Sequence, residues 1–196
     1  MSPRVGMFGG AFDPPHRAHG LLAQAAVRQL GLERLVVLPT GDAWHKARTL
    51  SPATDRLAMA RLAFAGLPRV EVDDRELKRT GPTYSIDTLR ELQAEHPGAQ
   101  LVLVMGEDQA GDFARWRAWE DIARLAVLGV AGRGSGAGIA ALRALPGVRV
   151  EPLELPQMPE SATEVRARLT AGEDISALVE PAVARYIESH HLYQTT

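Results

Sequence analysis

The stretch Gly9-Gly10-Ala11-Phe12-Asp13-Pro14-Pro15-His16-Arg17-Ala18-His19-Gly20 restricts most what this chain can fold into. The apolar run Val5–Phe8 before it reads as a buried strand. The alanine- and leucine-rich segment Leu21–Leu30 after it has helical spacing. A strand therefore ends on two glycines, a Pro-Pro turn follows, and two histidines stand where a helix begins. Amides at a helix start lack intrahelical partners, and the helix dipole adds positive potential, so such a junction suits phosphate. Glycine lets the backbone approach a ligand closely. His16 and His19, three residues apart, can face one bound group. A plain surface turn with two solvated histidines is the alternative, and it leaves the conjunction of Gly-Gly, Phe-Asp-Pro and a helix start unexplained.

Such a junction needs a sheet and a core around it. The chain has 196 residues, 45% of them hydrophobic, which suits one α/β domain spanning 1–196. Lys plus Arg number 22 against 24 Asp plus Glu, a formal net charge of −2. That balance argues against a nucleic-acid-binding surface or a polybasic membrane patch, and leaves room for a small anionic substrate. There is no cysteine, which excludes disulfides, thiolate catalysis and cysteine metal sites. Met1–Gly6 does not read as a signal peptide, and no apolar run has the length of a membrane span. A soluble cytoplasmic protein is the expectation.

Along the chain, Arg34–Pro39 reads as a second strand, followed by a polar loop over Gly41–Leu50 that carries Trp44-His45-Lys46. Ser51 as N-cap and Pro52 at the first helical position open a helix to about Ala65. Val70–Asp73 alternates as a short strand, Arg75–Thr83 is a charged loop, and Ser85–Glu95 is helical. Leu101–Met105 is continuously apolar, the mark of a strand buried on both faces. Trp116–Arg124 reads as helix, Leu125–Ala131 as another buried strand, Gly132–Gly138 as a flexible surface loop, and Val148–Val150 as a last short strand. Ser161 caps a helix over Ala162–Thr170, and Pro181–Ser189 is the final helix. This alternation predicts a Rossmann-like, doubly wound, mostly parallel sheet with helices on both faces. Ligands bind such sheets beyond the carboxyl ends of the strands, at the switch point. The segments Gly9–His19, Thr40–Lys46 and Gly106–Asp108 all fall there.

The opening stretch resembles the nucleotidyltransferase signature Gly-x-Phe-Asp-Pro-x-His-x-Gly-His, matched at Gly10, Phe12, Asp13, Pro14, His16 and His19. Ala18 departs, standing where the family has glycine. Further segments resemble the bacterial nicotinate-nucleotide adenylyltransferases: His45-Lys46; Ser51, Arg56 and Met59; Gly106-Glu107-Asp108 with Trp116 and Ile122; Ser161, Thr163 and Arg166; and the ending Tyr186-Ile187 with Leu192-Tyr193. Glu160 and Ala162 depart from the motif around Ser161.

The resemblance implies attack by the phosphate of nicotinate mononucleotide on the α-phosphorus of ATP, with pyrophosphate leaving. It assigns His16, His19 and Lys46 to catalysis. It gives ATP and its phosphates to Gly9, Gly10, Phe12, His16, His19, Ser161, Thr163 and Arg166. Gly106, Asp108, Thr83, Tyr84 and Trp116 would hold the ribose and the mononucleotide. No protein metal ligand is implied; Mg²⁺ arrives with ATP, keeping several waters. The expected partners are ATP and nicotinate mononucleotide, with no nucleic acid or membrane and with a homo-oligomer left open. Trp116 and Trp119, three apart, are expected on one helical face, with Trp116 stacking on the pyridine and Trp119 in the core; Arg115 and Arg117 are expected in solvent. The Ala18 methyl is expected either to hold the adenine slightly away or to be absorbed by the pocket. The competing readings are a nicotinamide mononucleotide or phosphopantetheine adenylyltransferase, and a non-catalytic adenylate-binding module.

Overall fold

The computed structural model describes residues 2–41, 49–132, 136–156 and 160–193. Lys46, with Trp44 and His45, lies outside them. The elements run β1 (Arg4–Gly10), α1 (Arg17–Gln29), β2 (Arg34–Pro39), α2 (Ala53–Ala63), β3 (Val70–Val72), α3 (Arg75–Lys78), α4 (Ser85–Glu95), β4 (Gln100–Gly106) and α5 (Glu107–Gly111). After a 3-10 turn at Phe113–Arg115 come α6 (Trp119–Leu125), β5 (Ala126–Ala131), α7 (Ala137–Arg143), β6 (Val150–Leu153), α8 (Ala162–Ala171) and α9 (Pro181–Ser189).

The six strands form one sheet in the order β3-β2-β1-β4-β5-β6, and every pairing is parallel. The expected doubly wound fold is present. Residues alternate between two cores, as the pleat requires. Val5, Met7, Val36, Leu38, Leu101 and Leu103 pack with Ile86, Leu89 and Leu92 of α4 and Ile122 of α6. Phe8, Leu35, Val37, Val102 and Val104 pack on the other face with Leu22, Ala23 and Ala26 of α1 and Phe64. A third cluster joins Met59 of α2, Val165 of α8, Val183 and Ile187 of α9, and Ile175, Leu178 and Val179. No helix among the described residues is long and apolar enough to cross a membrane.

Several boundaries differ from the expectations. Helix α1 starts at Arg17, between the two histidines as expected, and so extends ahead of the Leu21–Leu30 segment. Ser51 does not cap α2: its N–H donates to Asp13 Oδ2 at 3.1 Å, and Pro52 takes the N-cap position. The Arg75–Thr83 segment holds a one-turn helix, α3, where the Arg75 N–H donates to Asp73 Oδ1 at 2.7 Å. Trp116 is outside α6: its N–H closes the 3-10 turn onto Phe113, and Ala118, in the left-handed region at φ +54°, precedes the helix. Trp116 and Trp119 therefore do not share a helical face. In the glycine-rich segment α7 begins at Ala137, and a Cβ on Gly138 would stand 2.5 Å from the Glu107 carbonyl oxygen, so glycine there serves a close packing of α5 on α7. The last strand is Val150–Leu153 rather than Val148–Val150; among the described residues it pairs only with β5, an edge position that tolerates Pro152.

Candidate active site

Strands β1 and β4 are neighbours at the centre of the sheet. The chain leaves β1 towards α1 on one face and β4 towards α5 and α6 on the other. That divergence opens a crevice at the carboxyl ends of the two strands. The motifs that follow β1 and β4, from Gly9 to His19 and from Gly106 to Asp108, begin there.

On the β1 side, His16 is the N-cap of α1 and is buried, 6% exposed. Its N–H donates to His19 Nδ1 at 3.1 Å. A backbone amide can only donate, so this nitrogen accepts, and a neutral His19 ring carries its proton on Nε2. The two imidazoles lie 3.8 Å apart between centroids, tilted by 38°. Phe12 supports them from beneath: it is 2% exposed, and His19 meets its ring edge-on at 5.0 Å. Gly10 makes room for that ring, since a Cβ there would stand 2.9 Å from Phe12 Cζ. Gly9 is different: a Cβ would meet only the Met7 methyl, at 4.0 Å, so the space beside this glycine is nearly open among the described residues.

The expectation of open amides at the start of α1 is corrected at particular positions. The Arg17 N–H donates to the Leu178 carbonyl at 2.9 Å, and the His19 N–H to the His16 carbonyl at 2.9 Å. Together with the His16–His19 bond, these contacts occupy the amides of His16, Arg17 and His19 within the protein.

Two arginines hold the loop. Arg56, 3% exposed, donates to the carbonyls of Ser51 (3.0 Å), Ala11 (3.0 Å) and Thr40 (2.8 Å), tying the ends of β1 and β2 to α2. Arg166 of α8 donates to the Asp13 carbonyl at 2.7 Å and to Thr163 Oγ1 at 3.2 Å. Ser161 caps α8, accepting from the Glu164 N–H at 3.1 Å, which presents Thr163 and Arg166 on the first turn. The structure thus brings His16, His19, Thr163 and Arg166 together around one loop.

On the β4 side, Gly106 ends the strand with nothing within 4 Å of its Cβ position, and Asp108 is exposed on α5. Thr83 and Tyr84 precede α4, with Tyr84 as N-cap. Tyr84 and Trp116 both pack partly buried on the core under β4. Arg117 is exposed, as expected, and its guanidinium carbon lies 4.5 Å from the centre of the Tyr84 ring. This contact joins the start of α4 to the turn carrying Trp116, and only the tertiary structure reveals it. Behind α4, the buried Glu76 of α3 accepts from the Thr88 hydroxyl at 2.7 Å, and Arg79 donates to the same hydroxyl at 2.7 Å. Burial pushes the Glu76 carboxyl above its ordinary pKa. For Asp73, burial works in the same direction, but the hydrogen bonds from Arg75 outweigh it and hold the pKa low.

Comparison with known proteins agrees with this geometry. The cytidylyltransferase-like family model matches residues 7–168. A protein of Albidiferax ferrireducens named probable nicotinate-nucleotide adenylyltransferase is 52% identical over 195 residues, covering 98% of each chain. One of the same name from Methylibium petroleiphilum is 42% identical over 97% of this chain and 92% of its own. Among solved structures, the Plasmodium falciparum nicotinic acid mononucleotide adenylyltransferase complexed with NaAD superposes with a TM-score of 0.81 at 19% identity, covering 97% of both chains, a likeness of fold. The matched span runs from β1 through Arg166, and the relatives cover the chain from end to end: this protein belongs to the cytidylyltransferase-like family and, within it, to the nicotinate-nucleotide adenylyltransferases.

Proposed function

We propose that the protein transfers the adenylyl group of ATP to nicotinate mononucleotide, giving deamido-NAD and pyrophosphate. The observation that carries this reading is the His16–His19 pair at the end of β1 with Arg166 fastened to the same loop. A phosphate oxygen of the mononucleotide attacks the α-phosphorus of ATP, the bond to the bridging β-oxygen breaks, and pyrophosphate leaves with the electron pair. Such a transfer needs alignment and charge stabilisation more than covalent help. The Nε2–H of His19 is a donor for the oxygens of the α-phosphate, where charge grows. Arg166 and Lys46 take the β- and γ-phosphates, the first as a planar fork and the second as a point charge. The Thr163 hydroxyl adds a further donor beside Arg166. Asp108 accepts from ribose hydroxyls. Tyr84 and Trp116 bound the pyridine, with the amides after Thr83 directed at its carboxylate.

The lining of the phosphate side is imidazole, guanidinium and hydroxyl, and no three His, Cys, Asp or Glu side chains among the described residues stand together as a metal-binding group. This donor set suits Mg²⁺ brought as part of the substrate MgATP, held by phosphate oxygens and water. We place the reaction in the cytoplasm, where both nucleotides are available. The deciding experiment measures pyrophosphate release from MgATP with nicotinate mononucleotide, with the dinucleotide product identified by mass. Pyrophosphate that appears only with another acceptor, or not at all, overturns the reading.

A further inference from the structure

Asp13 lies between Phe12, held in the left-handed region at φ +48°, and Pro14-Pro15-His16. It is 1% exposed. Its Oδ2 accepts from the Ser51 N–H at 3.1 Å and its carbonyl from Arg166 at 2.7 Å. Its Oδ1 accepts from the hydroxyl of Tyr193, 180 residues further along the chain. Ser51 leads into α2 and Arg166 belongs to α8, so the C-terminal segment meets both at this one residue, Ser51 and Tyr193 on its carboxylate and Arg166 on its backbone carbonyl.

The tail is shaped to deliver that phenol. After α9 the Leu192 N–H turns back to the Ile187 carbonyl at 3.1 Å. His191 and Tyr193 take left-handed backbone angles, φ +51° and +63°. Non-glycine residues hold such angles only where surrounding contacts over-determine them. Here those contacts are the packing of Leu192 and Tyr193 on the cluster of Met59, Val165, Val183 and Ile187.

What Asp13 holds is transmitted to the histidines. Two consecutive prolines fix φ between Asp13 and His16, so this connection is stiff. The His16 N–H in turn fixes the His19 ring through Nδ1 at 3.1 Å. A hydroxyl that orients Asp13 therefore orients the Nε2 of His19.

We propose that Tyr193 is a positioning residue: its hydroxyl, through Asp13, sets the aim of the His16–His19 pair, so that the C-terminal segment completes the site. This rests on the reading of that pair given under Proposed function. The test is a double-mutant cycle on the full chain, with Tyr193→Phe, His19→Ala and the two combined, each assayed below its melting transition. Tyr193→Phe keeps the ring and its packing. It should lower kcat by about tenfold, the loss of one hydrogen bond to a charged group, with KM for ATP within about twofold. In the His19→Ala background the same change should have almost no further effect, because the pair acts as a unit. The His19 imidazole ¹⁵N shifts should move in the Tyr193→Phe protein. An unchanged kcat for Tyr193→Phe, or a loss of equal size with and without His19, overturns the proposal. A His19→Ala protein with full kcat overturns the reading of the pair and this inference with it.

Discussion

At the scale of single residues, the two histidines divide their work by hydrogen bonding. Because His19 Nδ1 accepts from the His16 amide, His19 can donate from Nε2 in its neutral form, and its use does not require protonation. A donor aimed at charge that develops during the reaction lowers the barrier without tightening substrate binding. His19→Ala should therefore cost on the order of 10²-fold in kcat, with little change in KM for ATP, the range seen on removing a preorganised donor. A fall of less than tenfold with a raised KM assigns His19 to ground-state binding. The neighbouring departure from the family signature reads differently once the fold is known. Ala18 is 7% exposed, so its methyl faces protein more than an open adenine pocket. Ala18→Gly should leave KM for ATP within about twofold and cost up to about 1 kcal/mol of stability through helix propensity. Steady-state kinetics and a denaturant titration check both numbers, and a clear drop in KM would show that the methyl does intrude on the base. The motif made both histidines visible in the sequence. The partners of Asp13 were not visible, because Arg166 and Tyr193 reach it across 153 and 180 residues.

At the scale of elements, what the sequence reveals follows from how locally each element is specified. The buried strands β4 and β5 and the helices α4 and α9 carry their own signals: continuous apolar runs, helical spacing, a proline at the first turn. The short helices α3, α5 and α7 do not. Helix α5 rests on α7 through Glu107, whose Oε1 accepts from the Gly138 N–H at 3.3 Å, a contact that no local pattern announces. Helix α3 depends on Glu76, which accepts from Thr88 and fastens α3 to α4 behind the Tyr84 end of the site. Burial raises the Glu76 pKa in the folded protein above its ordinary value of 4.5. The native state therefore binds this proton more tightly than the unfolded chain does, and stability falls as pH rises from the ordinary value through the raised one. Gln in place of Glu76 can still accept from Thr88 and does not titrate. Melting temperatures of wild type and Glu76→Gln, recorded from pH 4 upward, should show the wild type losing ground to the variant over that interval and running parallel above it. Parallel curves throughout would mean that Arg79 and Thr88 fully compensate the buried charge.

At the scale of the whole molecule, the sheet order β3-β2-β1-β4-β5-β6 divides the site into two halves about β1 and β4. On the proposed function, the β1–α1 loop, α2 and α8 serve the phosphates of ATP, while the start of α4, α5 and the Trp116 turn serve the mononucleotide. The two reactants therefore meet over the switch point, and selectivity for the acceptor depends on groups remote from the phosphates. Nicotinate differs from nicotinamide by carrying a carboxylate, so discrimination requires positive potential without a competing acceptor. Two features supply it. The amides of Ser85 and Ile86 begin α4 and precede its first hydrogen-bonded N–H, that of Asp87 onto the Tyr84 carbonyl. The Arg117 guanidinium stands 4.5 Å from the centre of the ring of Tyr84, the residue that precedes them. Asp87, in the first turn of α4, works against them. Charge-assisted hydrogen bonds are about twice as strong as neutral ones, and a site built around such bonds rejects the analogue lacking the charge by powers of ten. The expected preference in kcat/KM for nicotinate over nicotinamide mononucleotide is at least about 10²-fold. Both acceptors are to be measured on the same protein with saturating MgATP. Near-equal values would make this a dual-specificity enzyme whose α4 start does not read the carboxylate, and a reversed preference would mean that the acceptor is nicotinamide mononucleotide.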